Sequence, residues 1–120
     1  MTNILYIDDN AHAGLLAKIY LEREGYHVFV AKDTTRARSF LSKHPIACII
    51  TDVGMPGESG IEFYHWLQSQ NEYKNLPLIF VSAHAFQINE IKNQSTITFL
   101  EKPIFFPDLI HRLKKLLNPQ

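Results

Sequence analysis

The sequence predicts an α/β domain in which five parallel strands alternate with five helices, a (βα)5 doubly wound sheet. Three observations carry this. Five short apolar segments recur along the 120-residue chain, separated by stretches of helix length. Several are continuous and most are rich in β-branched or aromatic residues, the pattern of strands covered on both faces. Strict alternation of strand and helix then requires right-handed crossovers, which put helices on both sides of one sheet.

Ile4 to Ile7 reads as the first strand, followed by a helix from Asn10 to Glu24. That helix carries Leu15, Leu16 and Ile19 at helical spacing, and Gly25 stands where a left-handed residue would end it. Tyr26 to Ala31 is the second strand. The second helix starts at Asp33 or Thr34, both good N-caps, places Ala37, Phe40 and Leu41 on one side and stops near Lys43, before Pro45. Ile46 to Thr51 is the third strand, and a helix from Ser59 to Gln70 presents Phe63 and Leu67 on one face. After the fourth strand, Leu78 to Ser82, the helical stretch from His84 to Asn93 is the least regular. Its larger apolar anchors are Phe86, Ile88 and Ile91, and it runs into the polar sequence Asn93-Gln94-Ser95-Thr96. Ile97 to Leu100 completes the sheet. The last helix takes Pro107 at its first position and presents Leu109, Leu113 and Leu116 before ending near Leu117.

Composition narrows the function. A chain of 120 residues with 46% apolar content reads as one domain, residues 1–120, with enough side chains to fill a core. Twelve basic residues balance twelve acidic ones, so no global positive field exists to hold nucleic acid or an anionic membrane. Recognition must be local. The longest apolar run, Ile46 to Ile50, falls far short of the ~20 residues that cross a bilayer, and Met1-Thr2-Asn3 lacks the basic start of a signal peptide. The expectation is a cytoplasmic protein with no membrane partner and no direct nucleic-acid binding. A single cysteine, Cys48, excludes an internal disulfide, and its apolar surroundings suit an inert core thiol. No two of the six histidines lie within five positions of each other, so the His-x-x-x-His spacing of zinc helices is absent.

In open α/β sheets ligands bind beyond the carboxyl ends of the strands, where the strand order reverses. Those ends carry Asp8 and Asp9 after the first strand, Asp52 after the third, Ser82 at the end of the fourth and Lys102 after the fifth. If the order is the flavodoxin-like 2-1-3-4-5, the reversal falls between the first and third strands, the two that deliver the carboxylates. Three carboxylates so close repel unless a proton or a cation intervenes. Mg²⁺ suits them, since it takes one or two carboxylates with waters and a phosphate oxygen. A lysine and a hydroxyl opposite would complete a cradle for a phosphoryl group.

The run Ile7-Asp8-Asp9-Asn10, the segment Thr51-Asp52-Val53-Gly54-Met55-Pro56-Gly57 with Gly60 following, Val81-Ser82-Ala83 and Glu101-Lys102-Pro103 together resemble the receiver domain of two-component response regulators. The match spans the whole chain. The resemblance implies Mg²⁺-dependent phosphotransfer to Asp52 from a phosphohistidine, on a histidine kinase or a histidine phosphotransfer protein. It implies Asp8, Asp9, Asp52 and the Gly54 carbonyl as metal ligands, Lys102 and Ser82 as phosphoryl ligands, and a cis bond before Pro103. Ser82 and Phe99 match the family's switch residues, and His84 stands where the side chain that shields the phosphoryl group varies. The product is a signalling switch that modifies itself, not a turnover enzyme. No downstream effector is named by the sequence, and the chain reads either as a free-standing receiver or as one that precedes an effector domain.

Plainer readings stand beside each of these. Asp8 or Asp9 could cap the first helix, Asp52 could serve a turn, Ser82 could cap the fourth helix, Lys102 could be a solvated charge, and Phe99 could simply pack the core. Gly54, Gly57 and Gly60 fit turns better than any phosphate-binding fingerprint. The sequence also departs from the family: nineteen residues separate Ser82 from Lys102, slightly few, and Ser95-Thr96 replaces the usual Gly-Ala pair. Two other functions compete. An aspartate-nucleophile phosphatase of the haloacid dehalogenase type needs Asp-x-Asp, but Asn10 occupies the second position here. A phosphorylation-independent interaction module on the same fold would leave the acidic, hydroxyl and lysine positions without a task.

Overall fold

The computed structural model describes residues 1–83 and 96–118. Strand β1 (Asn3–Ile7) lies between β2 (His27–Ala31) and β3 (Cys48–Asp52), with β4 (Leu78–Ser82) and β5 (Ile97–Glu101) beyond, in the order β2-β1-β3-β4-β5. All four pairings are parallel. Among the described residues four helices complete the fold: α1 (Ala11–Arg23), α2 (Thr34–Lys43), α3 (Gly60–Gln68) and α4 (Phe106–Leu117). The helical stretch expected from His84 to Asn93 lies outside the described residues.

Successive strand residues point to opposite faces, and both faces are buried. Ile4, Tyr6, Cys48, Ile50 and Ile79 pack with Ala17 and Leu21 of α1 and Leu109 and Leu113 of α4. Leu5, Ile7, Ile49 and Phe80 pack with Ala37 and Leu41 of α2 and Phe63 and Leu67 of α3. This explains why the central strand segments read as continuous apolar runs: nearly every residue of β1, β3 and β4 is buried. Burial pushes the Cys48 thiol up to about 12, which keeps it protonated and unreactive at neutral pH.

Several expected boundaries and faces need correction. The stripe Leu15, Leu16 and Ile19 does not face the sheet; Leu15 is 55% exposed and Ile19 41%, while Gly14, Ala17 and Leu21 are buried. Small residues let α1 lie close to the sheet: a methyl on Gly14 would sit 2.6 Å from Val30 Cγ1. Asn10, not Asp8 or Asp9, caps α1, accepting the His12 and Ala13 N–H groups at 2.9 and 3.2 Å. Asp52 is the last residue of β3 and not the residue after it. The third helix ends at Gln68 with Ser69 as its cap, and α4 starts at Phe106, so Pro107 occupies its second position. A missing N–H is harmless there too, because the first four are unpaired within any helix.

Gly60 is likewise not a turn glycine. It opens α3 behind Ser59, whose side chain and that of Glu62 form a reciprocal cap. A methyl at Gly60 would overlap the Asp52 carbonyl oxygen and lie 3.1 Å from both the Asp52 carbonyl carbon and Val53 Cα. Those are backbone atoms and cannot rotate away. The turn belongs to Gly57, at φ +76°. Gly60→Ala is therefore expected to destabilise the fold by about 2 kcal/mol despite the better helix propensity of alanine. Urea unfolding measures this, and stability equal to or above the wild type would refute the close packing of α3 on β3.

Candidate functional site

The carboxyl ends of β1, β3, β4 and β5 bring the sequence-predicted residues to one edge of the sheet. Asp8 follows β1 directly, its N–H bonded to the Ala31 carbonyl at 3.0 Å, and only 2% of it is exposed. Asp52 closes β3 and is 8% exposed. Asp9 is exposed beside them, and one carboxylate oxygen from each of Asp8, Asp9 and Asp52 lies within 4.8 Å of the others. Lys102 reaches the cluster from beyond β5, with Nζ 3.0 Å from Asp52 Oδ2 and 3.5 Å from Asp8 Oδ2. Its backbone N–H donates to the Ser82 carbonyl at 2.8 Å, and the Lys102–Pro103 peptide is cis.

Local hydrogen bonds hold the acids in place. The Asn10 N–H donates to Asp8 Oδ1 at 2.9 Å, and the Gly54 N–H donates to Asp52 Oδ1 at 3.2 Å. Ser82 is buried at the end of β4. Phe99, on β5, stacks on Phe80 with centroids 5.6 Å apart and lines a cleft together with Ser82. His84 lies outside the described residues. Two neighbours escaped sequence reasoning. Tyr6 lies beneath the acids, and burial together with Asp8 and Asp52 pushes its hydroxyl well above the ordinary value. Arg38 pairs with Glu58 across the loop that follows Asp52. Neither carries a local signal: Tyr6 reads as strand core, and the charged pair stands twenty positions apart.

Burial pushes the Asp8 carboxyl above the usual carboxylate range, and Asp52 adds to this, against the opposing pull of the Asn10 N–H and Lys102. Burial pulls the Lys102 ammonium down, but its bonds to Asp52 and Asp8 outweigh that and leave it raised. The sign for stability follows. A carboxyl whose folded-state pKa is raised destabilises the fold as pH climbs through that pKa, because the folded protein then holds a charge it disfavours. Without Mg²⁺, Asp8→Asn should match the wild type in stability below about pH 4, where aspartate is protonated in either state, and exceed it increasingly toward neutral pH. Urea titrations in EDTA across that range test this; a constant difference would show that ionised Asp8 carries no penalty.

Three clustered carboxylates form an oxygen donor set that fits a hard divalent cation such as Mg²⁺. A parallel sheet in the order 2-1-3-4-5 with acids, a buried hydroxyl and a lysine gathered at its strand ends defines a class of α/β signalling domain. The chain belongs to the response regulator receiver domain family, whose pattern matches residues 4–114. A phosphoacceptor role in two-component signalling comes with that membership.

Individual proteins agree. The polar-differentiation response regulator DivK of Brucella anthropi is 26% identical over 118 residues, covering 97% of this chain and 96% of that protein. The probable transcriptional regulator ycf29 of Cyanophora paradoxa is 29% identical over 98% of this chain, which spans 57% of the ycf29 length. Among solved structures, chemotaxis protein CheY4 of Vibrio cholerae superposes with a TM-score of 0.89 at 28% identity, covering 98% of this chain and 99% of the other. Response regulator TrrA of Thermotoga maritima, solved in complex with Mg²⁺-BeF, gives 0.85 at 26% identity, covering 98% and 100%. Among the described residues no helix is long and apolar enough to cross a membrane.

Proposed function

We propose that Asp52 accepts a phosphoryl group from a phosphohistidine on a histidine kinase or histidine phosphotransfer protein, and that this covalent change switches partner binding. The observation that carries the reading is the meeting of Asp8, Asp9 and Asp52 within 4.8 Å while Lys102 bonds two of them. Asp8, Asp9, Asp52 and the Gly54 carbonyl would hold Mg²⁺, which when bound offsets the carboxylates' repulsion and the charge of the incoming phosphoryl oxygens.

An Asp52 carboxylate oxygen attacks phosphorus; the new O–P bond forms as the P–N bond breaks, and the imidazole leaves with the electron pair. Charge in so loose a transition state spreads over the three equatorial oxygens. Lys102 supplies the chain's own cation for one of them, and the Ser82 hydroxyl donates to another. Fixed donors of this kind need no reorganisation during transfer. Attack of water on phosphorus later breaks the Asp52 O–P bond, releases inorganic phosphate and restores the carboxylate. The domain thus alters itself and turns over no external substrate, and Phe99, beside Ser82, is the aromatic placed to register the change.

The exposed apolar residues of α1 adjoin this site. Leu16 lines the same cleft as Asp8 and Lys102, with Leu15 and Ile19 in the open on the same helix. An apolar patch on the rim of a reactive site suits a protein donor that must deliver its histidine there. Two assays test the whole reading. Incubation with Mg²⁺ and acetyl phosphate should add one phosphoryl mass, lost when EDTA is present. Leu15→Asn/Ile19→Asn should retain that adduct and lose transfer from a phosphohistidine protein. A wild type that gains no mass would instead be a phosphorylation-independent module.

A further inference from the structure

One cluster of charged and aromatic side chains lies outside the chemistry described above. Arg38 of α2 meets Glu58, on the loop between β3 and α3, in a two-pronged pair, Nη1 to Oε1 at 2.8 Å and Nη2 to Oε2 at 2.9 Å. The Thr34 hydroxyl also bonds Glu58, and the Arg38 hydrogen bonds hold the Glu58 carboxyl below the usual carboxylate range. The same guanidinium lies over the Trp66 ring, 4.4 Å from its centroid, and 5.2 Å from that of Phe63. A planar fork serves carboxylate and ring together, which an ammonium does not.

The clamp matters because of what the loop holds. It begins directly after Asp52 and contains Gly54. Near its start the Val53 N–H bonds the Val81 carbonyl at 3.0 Å, and Gly60 bonds back to the Val53 carbonyl at 3.0 Å. Met55 is buried in the core. Beyond the turn at Gly57, the pair with Arg38 ties the loop to α2.

We propose that Arg38 is a positioning residue: by holding Glu58 against α2 while its own guanidinium rests on Trp66, it fixes the backbone at Gly54 relative to the Asp52 carboxylate and so sets the affinity of the acidic site for Mg²⁺. This rests on the Mg²⁺-dependent reading given above. A simple field effect has the opposite sign. Removing a positive charge from the surroundings of an acidic cluster tightens cation binding, whereas loosening the loop weakens it.

The test is calorimetric titration of MgCl₂ into the full chain. Arg38→Ala should raise the Mg²⁺ Kd roughly 10-fold, the lower end for residues that hold metal ligands in place. The ratio should persist at high salt, where surface fields are screened. Arg36→Ala, which removes an exposed charge from the same helix, should leave the Kd unchanged or lower it. An Arg38→Ala Kd equal to or below the wild-type value overturns the proposal and leaves the Mg²⁺ site standing. Failure of the wild type itself to bind Mg²⁺ overturns both. Melts in EDTA confirm folding, and if Arg38→Ala has no cooperative transition, Arg38→Gln is judged by the same criterion.

Discussion

Asp52→Asn accepts no phosphoryl group from acetyl phosphate or from a phosphohistidine protein, and the loss is complete. The amide is the same size as the carboxylate and keeps an oxygen for the Gly54 N–H, so the 3.2 Å bond that orients the side chain survives. What disappears is the anionic oxygen that attacks phosphorus. No other group replaces it. Asp8 shares the Lys102 ion pair, but it is 2% exposed and its other oxygen is committed to the Asn10 N–H at 2.9 Å. Asp9 is exposed, and among the described residues the carboxylates that pair with Lys102 are Asp8 and Asp52. Intact mass after incubation with Mg²⁺ and donor decides the matter. An adduct on the variant, mapped to Asp8 or Asp9, would show that the acceptor has been misassigned.

The fold was legible because each strand meets a core on both faces, which leaves continuous apolar runs such as Ile46 to Ile50 in the sequence. The site was legible for a related reason: parallel strands all end at one edge, so residues at strand ends converge whatever their separation in the chain. Asp8 and Lys102 are ninety-four positions apart and still meet. Features set by close approach were not legible. The sheet-facing side of α1 is made by Gly14, Ala17 and Leu21, with no room beside Val30 for even a methyl at Gly14, while hydrophobicity alone favours Leu15 and Ile19. Gly60 resembles a turn residue until the Asp52 carbonyl is seen beside it. The Arg38–Glu58 clamp depends on how the loop after Asp52 folds over α2, and no local spacing encodes that.

Lys102→Met should affect the two halves of the site in opposite directions. In the metal-free protein the ammonium is the cation that offsets Asp52 at 3.0 Å and Asp8 at 3.5 Å. Removing it leaves both carboxylates facing each other, so Mg²⁺ binding tightens because it no longer competes with a resident charge. Stability in EDTA falls, but modestly, since the lysine side chain is 30% exposed and water screens the pair. Phosphorylation moves the other way. The charge that builds on the phosphoryl oxygens loses a fixed partner, and the loss of one such donor lowers rates by about 10²–10³-fold. Because pairing holds the Lys102 ammonium above its ordinary value, it stays charged to higher pH than a free lysine, and its contribution to wild-type stability is lost only as pH rises through that raised pKa. Mg²⁺ titrations and stopped-flow phosphorylation of the same variant separate the effects. Tighter Mg²⁺ with slower transfer places Lys102 on the phosphoryl group in the transition state; a variant that phosphorylates at the wild-type rate would reduce the residue to a counterion for the resting acids.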